Sequence, residues 1–128
     1  MQMRLRTARL VVAALLLGGC SAKPAAEVSE SELAAVRQAH ASAQVGDSKQ
    51  QVLDSFKAGN AVKLGNSVVE GASIEEWKVE AFHDENERKN LFITFLYFCN
   101  DRFVDSSDTR IDFRSNPELA KQWRSQTN

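Results

Sequence analysis

The sequence predicts an α+β fold, with two N-terminal helices packed on a three-stranded antiparallel β-meander and a short C-terminal helix. Three observations carry this prediction. Apolar positions between residues 30 and 56 recur at helical spacing. From Ile74 the period drops to two, with Trp77, Val79 and Ala81 alternating with Lys78, Glu80 and Phe82. Leu91–Cys99 (LFITFLYFC) is then nearly unbroken apolar, β-branched and aromatic, and its length suits a central strand better than a helix.

Ser29 and Glu32 stand three apart, the spacing of a capping box, and Leu33, Val36 and Ala43 follow on one helical stripe. This predicts a first helix near 30–43, stopped by Gly46. Asp47 or Ser48 caps a second helix whose inner face is Val52, Leu53 and Phe56. Gly59-Asn60 ends it with residues that tolerate left-handed backbone. Residues 61–73 read as mixed, with turns at Gly65-Asn66 and Gly71 and a short extended piece at Val68-Val69.

The first strand starts at Ile74, and the polar run 84–90 turns it into the second at Leu91. Asn100-Asp101 suits the two positive-φ positions of a tight hairpin, and Arg102–Phe113 returns as the third strand, interrupted near Asp105–Asp108. Ser115-Asn116-Pro117 opens the C-terminal helix, which carries Leu119 and Trp123.

The 128 residues hold 16 Lys and Arg against 17 Asp and Glu, a balance that argues against a general nucleic-acid binder. The charges are unevenly placed, because residues 1–19 contain Arg4, Arg6 and Arg9 and no acid. The remainder therefore keeps 13 basic against 17 acidic residues, a net charge of −4. Two cysteines are too few for a disulfide scaffold.

Residues 1–9 form a basic start, and Leu10–Gly19 is an apolar run about half as long as the roughly 20 residues a spanning helix needs. The ending Leu17-Gly18-Gly19-Cys20 resembles the bacterial lipobox. The resemblance implies cleavage between Gly19 and Cys20, a diacylglyceryl group on the Cys20 thiol and an N-acyl chain on its new amino group. Ser21 in place of an aspartate favours the outer membrane over retention at the inner one. The division expected is a signal peptide at 1–19, a lipidated tether at 20–28 and a folded domain at 29–128.

The segment Val45-Gly46-Asp47-Ser48-Lys49-Gln50-Gln51-Val52-Leu53-Asp54-Ser55-Phe56 is similar to the opening of the SmpA/OmlA family, the BamE-like outer-membrane lipoproteins. The order of the downstream segments agrees as well: Glu76-Trp77-Lys78-Val79, the apolar strand Leu91–Cys99, a tight turn and the return strand. Gly59-Asn60-Ala61 lacks the proline usual in the family's turn. The resemblance implies a BamE/BLIP-like fold, a periplasm-facing anchor in the outer membrane, and a protein partner, with the outer-membrane protein assembly machinery among the candidates. The same helix-helix-sheet unit occurs in protein inhibitors, so the alternative is an inhibitor or regulatory module for another envelope protein.

No residue pattern points to catalysis, a metal or a cofactor beyond the lipid on Cys20. His40 and His83 stand apart from any metal-ligand spacing. Asp84, Glu85 and Glu87 lie in a polar turn beside Arg88 and Lys89. The aspartates 101, 105, 108 and 112 lack the glycine and final glutamate of a calcium loop. Cys99 reads as a small strand hydrophobe. The informative feature is the strand itself, which is apolar on both sides: Phe92, Leu96 and Phe98 on one, Ile93, Phe95 and Tyr97 on the other. Either the Leu119/Trp123 helix covers the second face or a partner does. Phe92, Phe95, Leu96, Tyr97 and Phe98 are the candidate partner-binding residues.

Overall fold

A computed structural model describes residues 26–86 and 88–127. The expected signal peptide, its cleavage site and Cys20 lie outside the described residues. The elements run β1 (Ala26–Glu27), α1 (Glu30–Ser42), α2 (Lys49–Ser55), β2 (Asn60–Val69), β3 (Ala72–Glu85), β4 (Arg88–Cys99), β5 (Arg102–Ser107) and α3 (Pro117–Gln126). Among the described residues the fold is α+β, with three helices on a sheet whose four main strands, β2 to β5, are antiparallel.

The meander has one strand more than the sequence predicts. Asn60–Val69, read as turns with a short extended piece, is a ten-residue strand paired along β3. Gly65 and its neighbours do not turn the chain; they form an irregularity between Lys63 and Gly65, where the pairing slips by one residue. The actual turn is Glu70-Gly71, with both residues at positive φ (52° and 78°). At the β4–β5 hairpin Asn100 and Asp101 take positive φ (51° and 66°), as their residue types predict. The return strand ends at Ser107 rather than Phe113, because Phe113 turns inward beneath Trp123, 6.0 Å between ring centroids. Part of the expected tether is structured too: Ala26 and Glu27 pair in parallel with Ala81 and Phe82, and Val28 is buried.

The helix boundaries follow their caps. The Ser29 hydroxyl accepts from the Glu32 amide while the Glu32 carboxylate accepts from the Ser29 amide, closing the capping box. Ser48 caps α2 through the Gln51 amide, and Asn116 caps α3 through the Leu119 amide ahead of Pro117.

β3 is central, with β4 and then β5 on one side and β1 and β2 sharing the other. Two cores sit on opposite faces of this sheet. On one face, Leu33, Val36 and Ala39 of α1 and Val52 of α2 pack against Val79, Ala81, Phe92, Leu96 and Phe98. On the other, Ala120 and Trp123 of α3 pack with Phe113 against Ile74, Tyr97 and Cys99.

Candidate functional site

The sheet faces are covered unequally, and length explains why. β3 and β4 have 14 and 12 residues, so the hairpin they form is about 40 Å long at about 3.3 Å per residue. α3 has ten residues and reaches only about 15 Å. It therefore shields the Ile74/Tyr97/Cys99 end, where Trp123 stacks on Tyr97 at 5.3 Å, and leaves the remainder of that face open.

Cross-strand register identifies what the open half contains. Val62, Lys78, Phe95 and Ser107 line up across four strands. Asn60, Glu80 and Ile93 form the next row, and Phe82 and Leu91 the one after. Leu91 is 47% exposed and Val62 45%, while Ile93, Phe95 and Phe82 are half-buried. The Lys78 ammonium pairs with Glu80 at 3.5 Å, and the Lys89 ammonium lies 4.7 Å above the Phe82 ring.

The strip and the covered half meet at Glu76, whose side chain is 1% exposed. The Tyr97 hydroxyl donates to its Oε2 at 2.8 Å and itself accepts from the Ile111 amide at 2.7 Å. Arg110 clamps both carboxylate oxygens, at 3.2 and 2.7 Å. Burial alone would raise the Glu76 pKa, but the hydrogen bonds from Arg110 and Tyr97 outweigh it and hold the carboxyl below its usual range. Burial and the Glu76 carboxylate together push the Tyr97 phenol up to about 12. This network fastens the 108–114 loop to the sheet, and Arg114 also reaches toward Glu76, at 3.9 Å.

Glu75 points to the opposite face. It accepts from Lys49 Nζ at 2.9 Å and from Trp77 Nε1 at 2.9 Å, pinning the first turn of α2 to β3. Its pKa also lies below the usual value, burial being outweighed by the Trp77 and Lys49 hydrogen bonds.

Both histidines are used in packing. His40 Nε2 is 3.3 Å from the Ser106 hydroxyl, with its ring edge-on to Phe92, and His83 Nδ1 is 3.0 Å from the Val28 carbonyl. Among the described residues, no group of three or more His, Cys, Asp and Glu is placed to hold a metal ion, and no helix is long and apolar enough to cross a membrane.

Of the five candidate partner-binding residues, Phe92, Leu96 and Phe98 are buried beneath α1 and α2, and Tyr97 beneath α3. Only Phe95 reaches the open strip. The apolar surface available for contact is thus Val62, Phe82, Leu91, Ile93 and Phe95, of which the sequence reading places Ile93 and Phe95 on one side of the strand.

A second surface escaped sequence reasoning altogether. β2 is a sheet edge: it pairs with β3, and no other described strand pairs with its outer side. It carries Val62, Leu64 and Val68 exposed, Val68 at 75%. The alternation around Lys63, followed by Ser67-Val68-Val69 before Glu70-Gly71, was the available signal for a strand.

The chain matches no protein-family model, and no curated protein or solved structure is significantly similar to it.

Proposed function

We propose that this chain is a small outer-membrane lipoprotein, held at the periplasmic face through lipid on Cys20, that binds a protein partner by strand addition at β2. The outer side of a ten-residue edge strand, with which no other described strand pairs, is the observation that carries the binding reading. Such an edge presents a row of N–H and C=O groups that an extended segment of another protein satisfies. The bulge at Leu64 and the charge of Lys63 interrupt it enough to disfavour indiscriminate self-pairing. The basic start, short apolar run and Gly-Gly-Cys ending support the lipid anchor. A role in envelope integrity or outer-membrane protein assembly is proposed from the resemblance of residues 45–56 and the downstream strand order to SmpA/OmlA lipoproteins, a resemblance that no family model supports.

Co-purification from detergent-solubilised membranes tests the binding role. Leu64→Lys and Val68→Lys alter exposed side chains, so folding stability should stay within about 0.5 kcal/mol while recovery of the partner falls. Unchanged recovery would remove the edge from the account. Assembly-machinery subunits among the recovered proteins support the assembly role; a single soluble enzyme supports an inhibitor instead. Cys20→Ala should lose acyl labelling and membrane retention.

A further inference from the structure

We infer that the open half of the α3-side sheet face lies on the bilayer that holds the Cys20 lipid, so that the domain rests on the membrane instead of swinging from a tether. The inference builds on the lipid-anchor reading and adds an orientation to it.

Three features converge on the lipid surface as occupant. The first is where the chain enters the sheet. Ala26 pairs with Ala81 and Glu27 with Phe82, and Ala81 and Phe82 pair in turn with Phe92 and Leu91. The entry point is therefore level with the Glu80/Ile93 and Phe82/Leu91 rows, at the end of the open strip away from α3.

The second is reach. Cys20 precedes Ala26 by six residues, which span at most about 21 Å fully extended. Acyl chains on Cys20 begin at the bilayer interface, so the sheet edge is held within that distance of it. A surface kept so near needs little intrinsic affinity, because tethering supplies an effective concentration on the order of millimolar. A diffusing protein has no such advantage at this face.

The third is side-chain chemistry. Val62, Phe82, Leu91, Ile93 and Phe95 offer apolar groups that fit the boundary between headgroups and acyl chains. The charges among them suit that depth. Lys78 and Glu80 neutralise each other, and the Lys89 ammonium rests over the Phe82 ring, a cation–aromatic contact that suits the headgroup boundary. The β2 edge differs, since its backbone groups need hydrogen-bonding partners that hydrocarbon does not supply. With the strip on the membrane, α1 and α2 face away from it and the β2 edge stays open to a protein at the side.

The test uses the lipidated full chain reconstituted in phosphatidylcholine vesicles containing a lipid spin-labelled on its acyl chain. An environment-sensitive thiol dye is placed at Leu91→Cys on the strip, or at Val45→Cys in the exposed α1–α2 loop on the other side. Cys99 is fully buried and burial pushes its thiol pKa up, so it stays unlabelled in the folded chain. The dye at 91 should be quenched and blue-shifted, with little change at 45. Equal, weak quenching at both sites in a chain of acylated mass would overturn this inference and leave the anchor standing. A chain of unacylated mass that does not bind vesicles would overturn the anchor reading, and this one with it. Quenching that appears only when phosphatidylglycerol is added would mean charged-headgroup contact, contradicting the apolar docking proposed.

Discussion

Removing a single oxygen, with Tyr97→Phe, probes the tightest polar junction in the molecule. The ring keeps its stack on Trp123 and its edge contact with Phe113, so the apolar core loses no volume of consequence. Two hydrogen bonds disappear: Oη to the Glu76 carboxylate at 2.8 Å and the Ile111 amide to Oη at 2.7 Å. A hydrogen bond to a charged group contributes about 1.5–3 kcal/mol, and a buried donor left unpaired costs about 1–3. Tyr97 is fully buried, but Ile111 is half-buried and water reaches its amide in part. Arg110 keeps its two contacts with Glu76, so the carboxylate is not stranded. The net expectation is a loss of about 2.5 kcal/mol from these two terms, toward the lower end of their sum. Urea unfolding followed by circular dichroism measures it, with the midpoint falling and the slope unchanged. The melting temperature should drop by about 10–15 °C for a domain of this size. A cycle with Glu76→Gln should show coupling of about 1 kcal/mol or more. A loss below about 0.5 kcal/mol would refute the claim that this junction is desolvated and holds the 108–114 loop in place.

Three further outcomes rest on the same physics. The folded-state pKa values of Glu75 and Glu76 lie below their ordinary 4.5, so their contribution is present above that pH and fades as the pH falls through the lowered values. Acid unfolding followed by fluorescence should show this, with a shallower dependence in Glu76→Gln. Tyr97 is the chain's single tyrosine and is raised from 10.0 to about 12, so its stabilisation is complete below pH 10 and is lost between there and about 12. Phenolate absorbance should therefore rise with unfolding instead of near the free-tyrosine value. Ser29→Ala opens the α1 capping box and should cost about 1 kcal/mol, read as a lower urea midpoint.

Local signals carried most of the framework. Ser29 with Glu32, Asn100-Asp101 and Asn116-Pro117 act within a few residues, and each sits where its chemistry requires. The two-sided apolar character of β4 left its second face to either the Leu119/Trp123 helix or a partner, and α3 covers only the Ile74/Tyr97/Cys99 end of it. What escaped was decided at a distance. Gly65-Asn66 has the composition of a turn, yet pairing with Glu75 and Glu76 holds it in a strand. Glu75 and Glu76 look like surface residues, and become core because Lys49 of α2 and Arg110 of the 108–114 loop reach them from 26 and 34 positions away along the chain. Coverage depended on the short reach of α3, a length that is readable only once the much longer β3–β4 hairpin is laid beside it.

The central claim is a domain bound to the membrane through Cys20, and intact mass measurement of the chain recovered from envelopes tests it most directly. The account predicts a chain beginning at Cys20, its mass raised by diacylglyceryl and N-acyl groups. A chain still carrying residues 1–19, or one beginning at an unmodified Cys20, would contradict it.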